Sequence, residues 1–141
     1  MIIAIGCDHA GFPYKDKIIE HLKEKGHSII DFGTLSEERC DYPFFAREVG
    51  YSVAKKEADL GVLICGSGEG IMIAANKVPG CKCGVGYNKE VTRLMREHNG
   101  CNAISFGARF MPLKSVLARL DVFLKSEPLG GRHLKRRNMI E

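Results

Sequence analysis

The sequence predicts an α/β domain in which a parallel β-sheet is covered by helices on both faces. Five short apolar runs recur along the chain, and the segments between them carry apolar residues at helical spacing. Regular alternation of strand and helix is typical of parallel sheets, because each connection must return the chain to the same end of the sheet. Right-handed crossovers then place helices on both faces.

The predicted strands are short and mostly apolar, as expected for strands buried on both faces. The first begins at the N-terminus with the run MIIAIG and ends in a glycine. Four similar runs follow it along the chain. The five predicted strands are residues 1–6, 28–32, 60–65, 82–85 and 103–106.

Five further segments are predicted to be amphipathic helices. Pro13, Pro43 and Pro112 suit the first turns of three of them, where the missing N–H has no partner. Gly26 and Gly100 suit left-handed positions at helix ends. The helices are indicated by Tyr14, Ile18, Ile19 and Leu22; by Phe45, Val49 and Val53; by residues 70–78; by Val91, Leu94 and Met95; and by Leu113, Val116, Leu117, Leu120 and Leu124.

The 141 residues are predicted to form one Rossmann-like three-layer domain with a five-stranded sheet. At this length roughly two-thirds of the surface of the chain can be buried on folding. No linker, low-complexity tract or internal repeat interrupts the sequence. The domain therefore spans residues 1–141, and residues 129–141 form a basic C-terminal tail.

The net charge is small and lies mainly in this tail. The chain has 21 Lys and Arg against 17 Asp and Glu, a net charge of +4, and the tail holds four basic residues and one acidic residue. A nucleic-acid partner would need basic residues clustered on a folded surface, so it is not expected. Without a signal peptide or a long apolar stretch, the protein is expected to be cytoplasmic and to have no membrane partner.

The cysteines are expected to be reduced thiols, because the chain has no secretory signal. Cys81 and Cys83 form a CxC pair without the His or Cys cluster that would complete a zinc site, so no metal is predicted. The six cysteines are Cys7, Cys40, Cys65, Cys81, Cys83 and Cys101.

A ligand site is expected at the carboxyl ends of the strands, where open parallel sheets bind their ligands. Carboxylate, imidazole, thiol, hydroxyl and cationic side chains follow four of the predicted strands there. These residues are Cys7, Asp8, His9, Cys65, Gly66, Ser67, Gly68, Tyr87, Asn88 and Arg109.

Residues 66–70 (GSGEG) form a glycine-rich turn between the third strand and the next helix. Such a backbone can approach a ligand closely and direct N–H groups at an anion; the alternative is a tight turn without a ligand. The turn lacks the third glycine of a dinucleotide fingerprint, since Ile71 stands there, and it lacks a Walker A lysine. Cys65 precedes the turn, where helix amides favour a thiolate, although it could also be a small buried apolar side chain.

Three other groups have a functional and a structural interpretation. Asp8 and His9 offer a carboxylate for sugar hydroxyls and an imidazole for a phosphate or a proton, or else a helix cap and a solvated histidine. His98 points toward the core or the crevice. Arg132 and Arg136 are four residues apart, so on a helix they could grip one phosphate, or they belong to a frayed basic terminus.

Taken together, these motifs resemble the family of type B ribose-5-phosphate isomerases, which includes galactose-6-phosphate isomerase subunits. Each motif is weak alone, but their order and spacing cover nearly the whole chain. The resemblance implies an aldose–ketose isomerase of the pentose phosphate pathway that converts ribose 5-phosphate and ribulose 5-phosphate through an enediolate, without a cofactor. The matching residues are 6–9 (GCDH), 41–43 (DYP), 65–68 (CGSG), 74–77 (AANK), 98–99 (HN), 106–109 (FGAR) and 130–133 (GGRH).

The resemblance also implies catalytic roles. Cys65 would take the proton from C2 of the sugar and return one to C1, and Ser67 would shuttle protons at the sugar oxygens. His98 would open the furanose ring. Asp8 would hold a substrate hydroxyl, and Tyr42 would place the ring.

Binding roles follow in the same way. Asn99 and the backbone N–H groups of the turn, which contains Gly66, Gly68 and Gly70, would stabilise the enediolate oxygen. The phosphate would be bound by His9, Arg109, Arg132 and Arg136. The last two would come from a neighbouring subunit, which implies a homodimer and allows a tetramer of two dimers. Lys135 and Arg137 are expected to be solvated.

Three positions depart from the family pattern. Ser67 replaces a frequent threonine and keeps the hydroxyl, whereas Gly100 replaces a frequent aspartate and so affects the orientation of His98. Some relatives use a glutamate at the position of Ile71 as the base, and Glu69 lies close by. The presence of Cys65 favours the cysteine.

Two other functions remain open. An isomerase of another sugar phosphate, such as galactose 6-phosphate or allose 6-phosphate, would need a pocket of different length. A non-catalytic phosphosugar sensor could use the same fold. Pure binding would need only the arginines, however, whereas Cys65, Ser67, Asp8 and His98 are all present.

Overall fold

A computed structural model describes residues 1–140 and confirms the predicted alternation of strands and helices. A sixth helix lies in the basic tail, whose last residue, Glu141, is outside the described residues. The elements are β1 (Ile2–Cys7), α1 (Phe12–Glu24), β2 (Ser28–Asp31), α2 (Tyr42–Ala54), β3 (Leu60–Cys65), α3 (Glu69–Asn76), β4 (Cys83–Val85), α4 (Lys89–Glu97), β5 (Ala103–Gly107), α5 (Leu113–Lys125) and α6 (Arg132–Arg137).

The five strands form one parallel sheet in the order β2-β1-β3-β5-β4. The chain moves outward from β1 to β2, crosses to β3 on the other side, and returns from β4 to insert β5. With right-handed crossovers, these reversals place α1, α4 and α5 on one face and α2 and α3 on the other. The predicted three-layer architecture is therefore confirmed.

The central strand β3 is buried along its whole length and serves both apolar cores. Leu60, Val62 and Ile64 belong to the core beneath α1 and α5, whereas Leu63 and Cys65 belong to the core beneath α2 and α3. This division follows the two-residue period of a strand. Cys65 consequently faces the α3 side at the carboxyl end of the sheet.

Two glycines allow the loop after β1 and the end of β5 to approach the end of β3 and the turn that follows it. A Cβ at Gly11 would lie 2.4 Å from the carbonyl oxygen of Ile64, and a Cβ at Gly107 would lie 2.3 Å from that of Ser67. A side chain at either position would force the backbone apart. The predicted site residues Asp8, Cys65, Ser67 and Arg109 lie at this junction.

The helix ends largely match the sequence prediction. Pro13 and Pro43 lie in the first turns of α1 and α2, but Pro112 is the residue that precedes α5. Gly26 and Gly100 have left-handed φ values of 86° and 61°. None of the helices within residues 1–140 is long and apolar enough to cross a membrane.

A buried lysine ties α1 to the loop after β2. Lys15 is 1% exposed, and its Nζ donates to both carboxylate oxygens of Asp31 at 3.0 and 2.9 Å and to the Thr34 carbonyl at 2.6 Å. The same loop pairs with the end of β1, since the Cys7 N–H donates to Gly33 and the Thr34 N–H donates to Cys7. Lys15 thus fixes the loop that flanks the end of β1.

Replacing this lysine should destabilise the fold strongly. In Lys15→Met the Asp31 carboxylate loses its cation, and we expect a loss of about 3 kcal/mol, at the lower end for buried pairs because Asp31 is partly exposed. Lys17→Met on the same helix removes only an exposed pair with Glu20 and should cost less than about 1 kcal/mol. Urea unfolding measures both, and equal losses would contradict the anchoring role of Lys15.

Candidate active site

The carboxyl ends of β1, β3 and β5 border an open cleft of about 410 Å³. Seven of its lining residues were predicted site residues, and Phe110 was not. A cleft of about 500 Å³ at residues 76–82 and Ile140 has no carboxylate, imidazole or hydroxyl in its lining, so the chemistry favours the first cleft. The first cleft is lined by Asp8, Tyr42, Cys65, Gly66, Ser67, Gly70, Arg109 and Phe110.

Cys65 lies at the end of β3, directly before the glycine-rich turn. Its Sγ accepts a hydrogen bond from the backbone N–H of Gly68 at 3.1 Å, at the start of α3. N–H groups and the positive end of a helix stabilise a thiolate relative to a thiol. The structure thus places the Cys65 sulfur at the wall of the cleft with one N–H donor, and its role as a base stays a prediction.

The turn that holds this sulfur is fixed by β5. The hydroxyl of Ser105, which is fully buried, donates to the Gly68 carbonyl at 2.8 Å, and the Ala108 N–H donates to the Cys65 carbonyl at 2.9 Å. Gly68 has a φ of 85°, and a Cβ there would lie 2.9 Å from the Phe106 carbonyl carbon. Ser105 is a residue that the sequence prediction missed, because no motif marks it.

Ser67 and Glu69 occupy different positions in the turn. The Ser67 Oγ accepts from the Glu69 N–H at 3.1 Å, so its own hydrogen remains free to be donated into the cleft. Glu69 does not line the cleft, and Ile71 is fully buried in the core. The position at which the sequence resemblance allowed a glutamate base is therefore apolar and enclosed here, so Cys65 is the candidate that faces the cleft.

Asp8 has a structural and an available oxygen. Its Oδ1 accepts from the N–H groups of Ala10 and Gly11 at 3.0 and 3.1 Å, which is the capping role that the sequence left open. Within residues 1–140 no hydrogen bond uses Oδ2, and the side chain lines the cleft. The two interpretations are thus compatible, since one oxygen fixes the side chain and the other faces a ligand.

His9 is held by the loop before α2. Its Nδ1 lies 3.2 Å from both the backbone N and the backbone O of Cys40. If Nδ1 accepts from the Cys40 N–H, the proton is on Nε2. Nε2 can then donate to an anion.

Tyr42 forms one wall of the cleft at the start of α2. A Cβ at Gly70 would lie 2.6 Å from Cζ of the Tyr42 ring and 2.8 Å from its hydroxyl oxygen. The third glycine of the turn therefore provides room for this ring. Tyr42 is 37% exposed and can contact a ligand from the side opposite Gly70.

Arg109 places a cation over the other end of the turn. Its N–H donates to the Gly66 carbonyl at 3.1 Å, and a Cβ at Gly66 would lie 3.0 Å from its Nη1. Among residues 1–140 it has no carboxylate partner. Its guanidinium is available to an anion, and the adjacent Phe110 is 76% exposed at the cleft.

Within one chain, His98 and Asn99 do not line the cleft that contains Cys65. They follow α4, which runs from the carboxyl end of β4 back to the amino end of β5 and therefore ends at the opposite edge of the sheet. The His98 ring stacks on that of His133, with centroids 4.0 Å apart and an interplanar angle of 7°. Any role of His98 at the cleft requires a second copy of the chain.

The basic tail is helical over Arg132–Arg137, which is the condition for Arg132 and Arg136 to bind the same phosphate. Arg132 and Arg136 are exposed on α6 and have no ion pair within residues 1–140. The expectation that Arg137 is solvated was wrong, because its Nη1 donates to the carbonyls of His98 at 3.3 Å and Leu129 at 2.8 Å. The tail is therefore docked rather than frayed.

The remaining cysteines differ from Cys65 in their surroundings. All six are free, and four besides Cys65 are buried. Burial raises the pKa of Cys7 and of Cys81 to about 12, that of Cys101 to about 11, and that of Cys83 well above its usual range. Within residues 1–140 no group of three or more His, Cys, Asp or Glu residues is arranged to hold a metal ion.

The chain matches the family model described as Ribose/Galactose Isomerase over residues 3–140. It is 46% identical to ribose-5-phosphate isomerase B of Escherichia coli (strain K12), covering 95% of this chain and 90% of that protein. It is 41% identical to galactose-6-phosphate isomerase subunit LacB of Clostridium acetobutylicum, covering 90% and 73%.

Solved structures give the same picture. Ribose-5-phosphate isomerase B of Clostridium thermocellum superposes with a TM-score of 0.98 at 45% identity, covering 99% of this chain and 95% of that one. The Mycoplasma genitalium enzyme with bound ribulose-5-phosphate superposes with a TM-score of 0.94 at 38% identity, covering 99% and 93%.

Thiol labelling should separate the cysteines. Iodoacetamide at pH 8 is expected to modify Cys65, which lines the cleft, and the partly exposed Cys40 in the native protein. Cys7, Cys81 and Cys101 should react only after unfolding, because their raised pKa values keep them protonated until about pH 11 or 12. Mass spectrometry of native and guanidinium-unfolded samples measures this. Native labelling of Cys7 as fast as that of Cys40 would contradict it.

Proposed function

The chain belongs to the ribose/galactose isomerase family, and we propose that it acts as a ribose-5-phosphate isomerase, interconverting D-ribose 5-phosphate and D-ribulose 5-phosphate. This proposal rests on one observation: the Cys65 sulfur accepts a hydrogen bond from the Gly68 N–H in a cleft that is also lined by Asp8 and Ser67. Such a site combines a base with groups that bind hydroxyls. The similarity to named ribose-5-phosphate isomerases B in sequence and structure supports the same reaction.

The isomerisation transfers a proton between two adjacent carbons. The Cys65 thiolate takes the proton from C2 of the open-chain aldose, and the electron pair of the C–H bond forms the C1–C2 double bond as negative charge moves to the oxygen on C1. A proton then moves from the oxygen on C2 to the oxygen on C1, relayed by the Ser67 hydroxyl, so that the negative charge passes to the oxygen on C2. Protonation of C1 by the Cys65 thiol, as the C2 carbonyl forms, gives the ketose and restores the thiolate. The charged oxygen needs fixed donors, which the start of α3 and the Ser67 hydroxyl supply.

The substrate hydroxyls and phosphate have separate partners in the cleft. The free Oδ2 of Asp8 accepts from a sugar hydroxyl, and the Tyr42 ring packs beside the carbon chain. Arg109 and the Nε2 of His9 bind the phosphate, so the substrate spans the cleft from its C1–C2 end at Cys65 to this cation.

A second copy of the chain completes the proposed site. Ring opening needs an acid, and the phosphate needs further cations. The residues proposed for these roles lie at the opposite end of the sheet in the same chain: His98, Asn99, Arg132 and Arg136. Exposed apolar side chains border both regions: Phe44 and Phe110 near the cleft, and Leu134, Met139 and Ile140 near the tail. A two-fold homodimer would cover both patches and form two identical sites. Pairing of two such dimers stays a prediction.

We further infer a cytoplasmic location. Six free cysteines in a chain of 141 residues fit a reducing compartment. The sugar phosphate substrate carries a permanent charge and does not cross membranes unaided.

The role of Cys65 is tested in deuterated water with ribose 5-phosphate. The wild-type protein should yield ribulose 5-phosphate carrying deuterium at C1, whereas Cys65→Ala should lower kcat by about a thousandfold or more, because the transferred proton has no other acceptor. Glu69→Gln should retain most of the activity. The reverse ranking of the two variants would reject Cys65 as the base, and the absence of turnover in wild type would favour a sensor or another sugar phosphate.

The shared site is tested by mixing two inactive variants. Cys65→Ala and the double variant Arg132→Met/Arg136→Met should each have little activity at low substrate concentration. After partial unfolding and refolding together, half of the dimers would carry one intact site, so about a quarter of the wild-type activity should return. Each variant refolded alone is the control. Recovery no greater than the sum of the two controls would show that the arginines act on the cleft of their own chain.

A further inference from the structure

The helix that carries the proposed phosphate clamp is short and is preceded by two unrestrained glycines. α6 has six residues, too few to be a stable helix by itself. A Cβ placed at Gly130 or at Gly131 would have no atom within 4 Å. The orientation of α6 must therefore be set by its contacts with the rest of the chain.

Those contacts are made with the end of α4. The Arg137 guanidinium donates from Nη1 to the carbonyls of His98 and Leu129, and the Leu129 N–H donates to the Glu97 carbonyl at 2.9 Å. His133, which is buried, stacks on the His98 ring. A cation at this place also stabilises the negative end of the helix.

Gly100 makes room for the Arg137 side chain. It has a left-handed φ of 61°, and a Cβ there would lie 2.7 Å from Cδ and 3.0 Å from Nε of Arg137. The arginine thus crosses the bare backbone of Gly100 to reach the His98 carbonyl. Gly100, which departs from the family pattern, therefore leaves the space that the Arg137 side chain occupies.

We propose that Arg137, seated on Gly100, is a positioning residue of the isomerase: it fastens α6 to the His98 segment, so that the clamp and the ring-opening acid enter the partner subunit's site as one unit. The inference deepens the proposed function and rests on it. Within residues 1–140, the guanidinium of Arg137 is hydrogen-bonded, whereas those of Arg132 and Arg136 are not. One arginine of the helix therefore holds it in place while two remain free for the phosphate.

The physical gain is preorganisation. Three arginines on six residues repel one another, and two glycines precede them, so an undocked α6 would have to be ordered when the phosphate binds. Docking the helix beforehand removes that cost from the binding step. Loss of the Arg137 bonds should therefore weaken phosphate binding even though Arg137 itself does not contact the phosphate.

The test compares Arg137→Met with Lys135→Met in the full-length protein. The first variant removes both hydrogen bonds but keeps a long side chain, and the second removes an exposed charge from the same helix. We expect Arg137→Met to raise KM for ribose 5-phosphate and the inhibition constant of inorganic phosphate about tenfold, equivalent to about 1.4 kcal/mol. Lys135→Met should change both less than about twofold. Arg137→Lys, which retains a donor, should recover part of the loss.

Two further measurements separate the possible failures. If Arg132→Met and Arg136→Met leave the phosphate inhibition constant unchanged, the proposed clamp itself is wrong. If they raise it and Arg137→Met does not, the positioning role is rejected, and a lower melting temperature with unchanged KM would likewise show a merely structural role. Gly100→Ala should raise KM in the same direction as Arg137→Met, but it should also lower the melting temperature, because alanine is strained at the left-handed φ of Gly100.

Discussion

The structure depends on the close approach of β5 to the turn that follows β3. Gly107 leaves no room for a side chain against the Ser67 carbonyl, Ser105 donates to Gly68, and the Ala108 N–H donates to Cys65. These contacts fix a backbone turn that begins at the buried strand β3 and is held in place by the buried strand β5. Because the turn is fixed, the Gly68 N–H at the start of α3 points at the sulfur of Cys65, the proposed base. A site built in this way is preorganised by the sheet itself.

Much of this arrangement could be predicted from the sequence, because it follows from local patterns and one topological rule. Alternating apolar runs and helical segments predict the sheet, and the carboxyl-edge rule then selects Asp8, Cys65, Ser67 and Arg109. The support for these residues could not be predicted in the same way. Ser105 is a single polar residue within an apolar strand, and the tight fit of Gly107 arises from a segment some forty residues away in the chain. Such long-range contacts leave no local pattern.

The location of His98, which the sequence analysis left open, could not be derived from a local pattern. The spacing of His98 from Val91 predicts which face of α4 it lies on. It does not show whether His98 lies at the carboxyl end or the amino end of the sheet. The topology contains the missing information, since a crossover helix starts at the carboxyl edge and ends at the amino edge. A histidine that ends such a helix belongs to the far edge. The contacts of Arg137 could not be predicted from its charge, because they depend on the space that Gly100 leaves by having no side chain.

In the proposed dimer, the chain therefore contributes two functional surfaces that never act on the same substrate molecule. One presents the base and hydroxyl ligands from rigid strands, and the other presents an acid and two arginines from a docked helix. The phosphate lies several bonds from the reacting carbons, so its binding energy is useful for catalysis only if it orients groups at C1 and C2. The His98 ring stacked on α6 provides that connection, because a phosphate held by Arg132 and Arg136 also fixes the helix that carries the stacking partner of the acid. Binding at one end of the sugar is thereby coupled to chemistry at the other.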